Sequence, residues 1–285
     1  PPRSTLFPYT TLFRSVIQNL NVTYRSGART VHAVRGVDLE VSSRGMTALV
    51  GESGSGKSTL VMAILGLLPN GTDISGDIRI GKDSILGLDD DALRAYRWKR
   101  VALVPQGAMN AFTPVLTVGR HIRETLEFHM NLSRRDAEKR TEELLEKAGL
   151  AADLAARYPH ELSGGQKQRA AIALAIACEP DILLADEPTT ALDVVVQREV
   201  MDAIADLASE RPNGASRSMG ILLVTHDLPL ALSRAGYINV MYRGEIVERG
   251  TPESLLDSPR HAHTKALLEG SLVSRSAFSH QEERA

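Results

Sequence analysis

The chain holds one cysteine, Cys178, among its 285 residues. That excludes an internal disulfide and any metal or iron–sulfur site built from several thiolates. It suits a reducing compartment. Cys178 itself reads as a small buried hydrophobe near a helix end, with no basic partner in sequence to activate it. There is no excess of positive charge either: 33 Lys and Arg stand against 35 Asp and Glu, for a net charge of -2. The basic footprint of a nucleic-acid binder is missing. No apolar run is long enough to span a bilayer. The best candidate, Leu60 to Leu68, is too short and follows directly on a glycine-rich loop, so it reads as a buried helix. If the protein works at a membrane, other chains must supply the spans. No internal repeat is visible.

What is present is ordinary for a soluble globular protein, with 43% hydrophobic and 24% charged residues. The length fits one large α/β domain, or a core with an inserted subdomain. Period-two alternation marks strands at Val22–Tyr24, Val31–Val34, Val37–Val41 and Ile78–Ile80. Thr47–Val50 is a buried strand feeding Gly51, and Lys57–Leu68 is a helix stopped at Pro69-Asn70-Gly71. Thr117–Asn131 and Arg134–Ala148 read as helices, the second with Ser133 and Asp136 as a capping box and Gly149 as its stop. A further helix runs from Ser163 to about Cys178. Strand Asp181–Ala185, helix Val194–Ala208 and strand Ile221–Thr225 follow. Strands alternating with helices argue for a mainly parallel sheet. Glu210–Gly220 is a polar loop, and 271–285 a polar tail.

The first fifteen residues, PPRSTLFPYTTLFRS, stand apart. They lack an initiator Met, hold three of the twelve aromatics, and have neither the apolar stretch nor the cleavage site of a signal peptide. Thr5–Ser15 resembles the translation of a common sequencing-adapter oligonucleotide. Residues 1–15 are therefore expected to be adapter-derived, with the native domain spanning 16–270.

Three strings carry the chemistry. Gly51-Glu52-Ser53-Gly54-Ser55-Gly56-Lys57-Ser58-Thr59 matches GxxxxGK[ST] after a strand. Its glycines let backbone N–H groups curl around phosphates, and the following helix presents its positive end to them. Lys57 is placed for the β- and γ-phosphates and Ser58 for Mg²⁺. Second, Ile182–Glu187 sets two acids at the end of a buried strand. Asp186 is positioned for the Mg²⁺ shell and Glu187 to polarise an attacking water as general base. Third, Leu162-Ser163-Gly164-Gly165-Gln166 starts a helix. Ser163 is a good N-cap, Gly164 and Gly165 remove side chains so that a phosphate can come close, and the helix end favours an anion. The helical block upstream is expected to carry this string away from the chain's own Lys57 loop.

Together these strings resemble the ABC-type ATPases, over Val16 to about Leu268. The resemblance implies an α/β fold: a P-loop NTPase (RecA-like) core with an N-terminal antiparallel β subdomain and an inserted α-helical subdomain at about 107–170. It implies ATP and Mg²⁺ as ligands, and a signature that closes on ATP held by a second ABC ATPase subunit, identical or different. Gln106 resembles the glutamine that touches Mg²⁺ and links core to helical subdomain. Asp193 resembles the acid that crosses the dimer interface, His226 the histidine on the γ-phosphate, and Tyr24 the aromatic that stacks on adenine.

Within that family, Gly250 to Leu268 resembles the C-terminal extension of oligopeptide and dipeptide importer ATPases, whose pattern reads Pro-x-His-Pro-Tyr-Thr-x-x-Leu. Here Ala262-His263 replaces the Pro-Tyr pair. Tyr158–Leu162 and Gln106–Pro114 look like the same branch. The resemblance implies a peripheral subunit on the cytoplasmic face of the inner membrane. It would work with two membrane permeases and, indirectly, a solute-binding protein, and without nucleic acid. An exporter cassette is the nearer rival. A soluble ABC ATPase acting on nucleic acid or ribosomes is the other, but no coiled coil, zinc module or second cassette appears. A cassette that only binds nucleotide would be expected to have lost Glu187, His226 or the signature, and all are present.

Overall fold

A computed structural model describes residues 13–27, 29–43, 45–107, 111–190, 192–209 and 219–270. Most of the adapter-like segment, part of the 210–220 loop, the 108–110 stretch after Gln106 and the polar tail lie outside these residues.

Two sheets organise the chain. The first is antiparallel, with strand order β2-β1-β4-β5: β1 is Phe13–Ser26, β2 Arg29–Ser42, β4 Asp73–Ile80 and β5 Asp83–Ser84. The short alternating runs of the sequence thus merge into two long bulged strands, because β-bulges carry the pairing past each break in alternation. Ser15, at the join with the adapter-like segment, pairs with Val41 and Ile80 and is buried.

The second sheet has the order β10-β9-β3-β8-β7-β6. Its strands are β3 Met46–Val50, β6 Val101–Val104, β7 Ile182–Asp186, β8 Gly220–Thr225, β9 Tyr237–Tyr242 and β10 Glu245–Gly250. All neighbours are parallel except the β9–β10 hairpin. Central strands β3 and β8 are buried at every position, as a parallel sheet covered on both faces requires. Alternation then divides their side chains between two cores. Ala48, Val50, Leu183, Ala185, Ile221 and Leu223 pack toward the helical side. Leu49, Ile182, Leu184, Leu222 and Val224 pack with the antiparallel sheet and α1, Lys57–Ile64. The sheet is therefore the shared wall that holds both layers in register.

Helix α1 ends earlier than the sequence pattern suggested. Gly66, at φ +61°, donates to Ala63, and Leu67 donates to Met62, closing a Schellman turn. The apolar run continues to Leu68, but the left-handed glycine, not Pro69, stops the helix. Between β6 and β7 lie α3 (Val118–Met130), α4 (Arg134–Lys147) and α5 (Gly164–Ile176). Thr117 and Ser133 cap α3 and α4 through their hydroxyls. Several elements were not read from the sequence, among them α2 (Asp90–Tyr96), β6, α7 (Leu228–Arg234), the β9–β10 hairpin and α8 (Pro252–Asp257). The hairpin had a usable signal, Arg243-Gly244 between two apolar runs, and both residues take the positive φ that such a turn needs.

Candidate nucleotide site

Parallel pairing does the assembly. Strands β3, β8, β7 and β6 lie side by side and end at one edge. The Gly51 loop leaves the end of β3, His226 follows β8, Asp186-Glu187 ends β7, and Gln106 follows β6. Residues spread over 176 positions of sequence (226 − 51 + 1) meet at the carboxyl ends of the strands, where open α/β sheets place their ligands.

A cleft of about 450 Å³ opens there, lined by Ser53, Gly54, Gly56, Lys57, Ser58 and Thr59 of the loop together with Gln106 and Glu187. Its remaining wall was not read from sequence: Val31, His32, Ala33 and Arg35 of β2, and Arg243-Gly244 of the hairpin. The Gly244 amide donates to the Ser55 carbonyl at 2.8 Å, and the Arg35 amide donates to Gly244 at 2.8 Å. The turn thereby ties the loop to the antiparallel sheet. Gly56 sits at φ +111°, and a Cβ there would press into the Ala33 carbonyl oxygen. We expect Gly56→Ala to lower stability by about 1–3 kcal/mol, read as a drop in thermal midpoint. An unchanged midpoint would contradict this geometry.

Lys57 is buried. Its ammonium donates to the carbonyls of Gly51 at 2.7 Å and Glu52 at 2.8 Å. Burial lowers its pKa, while the charges of Glu187, Asp186 and Glu52 work the other way. Asp186 is raised, by burial first and then by the Glu187 charge, with Lys57 opposing.

Glu187 is the most constrained of the acids. Its Oε2 accepts from Gln106 Nε2 at 2.8 Å and from the Thr190 hydroxyl at 3.0 Å, and its Oε1 lies 3.0 Å from His226 Nδ1. Its backbone stands at φ +47°, anchored by the Glu187 amide donating to Val224 at 2.8 Å. Burial pushes its pKa up, but the hydrogen bonds from His226 and Thr190 and the charges of His226 and Lys57 prevail, and it lies below the usual glutamate value. The carboxylate therefore stays ionised, as a general base requires. Thr190 is a partner the sequence reading missed.

The LSGGQ string lies on a separate element. Ser163 N-caps α5 in a reciprocal capping box: the Gln166 amide donates to Ser163 Oγ at 3.2 Å, and the Ser163 amide donates to Gln166 Oε1 at 2.9 Å. The Ser163 hydroxyl accepts in this bond and keeps its own proton to donate. Several of the residues singled out in the sequence also have duties within the chain. Gly165 has an internal reason to lack a side chain: a Cβ would come within 2.6 Å of Val196 Cγ1 on α6 (Val194–Ser209), so α5 and α6 pack closely at this point. Gly164 meets only an ordinary contact with Leu192. Asp193 accepts from the Val196 amide at 3.0 Å, so within the chain it caps α6. Tyr24 is half-buried against the core and its hydroxyl donates to Thr59 Oγ1 at 3.3 Å, which puts it beside the cleft without lining it.

The donors for a cation are all oxygens: the Ser58 hydroxyl, the Asp186 carboxylate and the Gln106 carboxamide oxygen, which is left over once Nε2 is given to Glu187. Such a set suits a hard ion like Mg²⁺. Among the described residues no cluster of three or more His, Cys, Asp or Glu could hold a metal by itself. Among the described residues no helix is long and apolar enough to cross a membrane.

Residues 34–190 match the family model described as ABC transporter. The oligopeptide transport ATP-binding protein OppD of Lactococcus lactis subsp. cremoris is 36% identical over 254 residues, 88% of this chain and 73% of that protein. The protein of the same name from Mycobacterium tuberculosis is 41% identical over 88% of this chain, but the chain spans only 41% of its length. Among solved structures, a dimeric ATP-binding cassette in a post-hydrolysis state with ADP and Pi is 31% identical, with a TM-score of 0.72 over 84% of this chain and 98% of that one.

Proposed function

The chain belongs to the ABC transporter family, and from that premise we propose that it is the ATP-hydrolysing subunit of a peptide importer. The observation that carries the reading is the Glu187 carboxylate, held by Gln106, Thr190 and His226 at the mouth of the Lys57 loop. Peptide as cargo is supported by the importer-like pattern at Ser258–Leu268 and by the names of the relatives.

Phosphates would enter the loop along the exposed N–H groups, and Lys57 would trade the Gly51 and Glu52 carbonyls for phosphate oxygens. Ser58, Asp186 and Gln106 would hold Mg²⁺, which offsets phosphate charge when bound. Glu187 takes the proton of the attacking water, and His226 steadies that carboxylate from the opposite oxygen. Tyr24 would stack on the base beside Thr59. The Ser163 hydroxyl, the Gly164 and Gly165 amides at the start of α5, the Gln166 side chain and Asp193 would face nucleotide held by a second ABC subunit. Closure and catalysis then share one geometry.

Membrane permeases would dock on the apolar groove of about 260 Å³ lined by Leu65, Leu67, Trp98, Pro105, Ala111 and Leu174. Pro105 precedes Gln106, so pressure on that groove reaches the catalytic contact. The subunit would sit on the cytoplasmic face of the membrane, fed from outside through a solute-binding protein.

Ser163→Ala tests the shared site. The separate subunit should bind ATP with wild-type affinity, because its own signature does not touch its own nucleotide. The assembled pair should lose about 10²-fold in turnover, the effect of removing one donor to a transition state. Turnover unchanged in the pair would overturn the shared-site reading.

A further inference from the structure

The second of the two residues that break the importer pattern at the C-terminal end, His263, has an unexpected place. It lies on a helix at 262–270, with its side chain only 7% exposed. Its ring stacks on Tyr242 of β9, centroids 4.2 Å apart. Its Nδ1 is 3.9 Å from the carboxylate of Glu52, and its Nε2 is buried with no hydrogen-bond partner. Glu52 belongs to the phosphate loop, and its backbone carbonyl accepts from the Lys57 ammonium. Tyr242 leads directly into Arg243-Gly244, the turn bonded to Ser55 of the same loop. Thus one buried imidazole touches the loop from two sides, through Glu52 and through the strand that clips Ser55.

We propose that His263 is a positioning residue for the phosphate loop, coupling the C-terminal segment to nucleotide binding through Glu52 and Tyr242. The coupling rests on the nucleotide-site reading above. Glu52 is a negative charge in a loop that must receive phosphates. Lys57 already offsets part of that charge; a protonated His263 offsets more of it, and a neutral one does not. Facing His263 are Glu52 from the loop, Tyr242 from β9 with the Arg243 guanidinium 5.0 Å from the same ring, and His261 from its own segment. Glu248 of β10 holds the segment in place by accepting from the Arg260 and His261 amides at 2.7 and 3.0 Å. The His263 amide donates to His261 Nδ1 at 3.1 Å.

Burial lowers the His263 pKa, with Glu52 opposing and His261 adding to the drop. The imidazole is therefore neutral at neutral pH and gains its proton only in the acid range. With a folded-state pKa below the ordinary value, stability is complete above the ordinary histidine range and declines as pH falls through it. Nucleotide reverses part of that loss, because it favours the protonated form.

The test is titration of an ATP analogue, adenylyl imidodiphosphate with Mg²⁺, into wild type, His263→Phe and Glu52→Gln at pH 6 and pH 8. Phenylalanine keeps a ring on Tyr242, and Glu52 is exposed, so one variant spares the stack and the other spares the core. The wild type should gain about fivefold more affinity on acidification than either variant, the low end of coupling between two sites. By reciprocity, nucleotide should raise the apparent His263 pKa followed by its ring proton resonance. An identical pH response in all three proteins would overturn the coupling alone. Failure of the wild type to bind the analogue at either pH would overturn the nucleotide-site reading and the coupling with it.

Discussion

Glutamine in place of Glu187 should reduce ATP hydrolysis by about 10²- to 10⁴-fold, the range for loss of a general base, while nucleotide binding survives. The substitution is nearly isosteric. A glutamine oxygen can still accept from Gln106 and Thr190, and its amide can donate to His226 Nδ1, so the three partners keep their places. What disappears is the basic carboxylate that the site holds ionised against the effect of burial. If the second half of each site comes from another subunit, the variant should also accumulate as an ATP-bound dimer. Size-exclusion chromatography in ATP and Mg²⁺ reads this directly. A variant that stays monomeric, even with its partner ATPase present, would count against the clamp.

Alanine in place of Lys57 should abolish tight nucleotide binding. Removing one member of a buried charged contact costs about 2–5 kcal/mol, which is roughly thirtyfold to several thousandfold in Kd. There is a second effect, on the protein alone. The Gly51 and Glu52 carbonyls lose the ammonium they accept from, so the loop itself should loosen. Lys57→Met separates the two, because it fills the stem's volume without the charge. Calorimetric titration of Mg²⁺-ATP gives the Kd, and thermal unfolding gives the stability. Wild-type affinity in both variants would remove Lys57 from the site.

The loop was legible because GxxxxGK[ST] states a local backbone requirement, and the strand before it and helix after it follow from short-range pattern. The caps Ser133 and Ser163 were legible for the same reason, since each accepts from an amide three residues on. The reciprocal box expected at Ser133 does not form, because the Asp136 carboxylate accepts from the Ser133 hydroxyl and not from its amide. Helix α1 was overextended because its apolar run outlasts the helix, and only the backbone at Gly66 shows where it turns. Gly165 was read as room for a phosphate, and its packing on Val196 could not be foreseen from residues 31 positions away (196 − 165). Asp193 was assigned outward, and its bond to the Val196 amide adds an inward duty.

By itself the sequence determined the chemistry on offer: a phosphate loop, two strand-end acids, a capped glycine-rich helix start, and no thiol cluster or membrane span to compete with them. Those are local statements, and local spacing is enough to make them. The tertiary structure decided the rest. Strand order placed Gln106 and His226 on the Glu187 carboxylate, since parallel neighbours end at a common edge whatever their distance along the chain. It also set Arg243-Gly244 and His263 against the phosphate loop. No periodicity connects residue 52 to residue 263, and only the folding of the sheet brings them together.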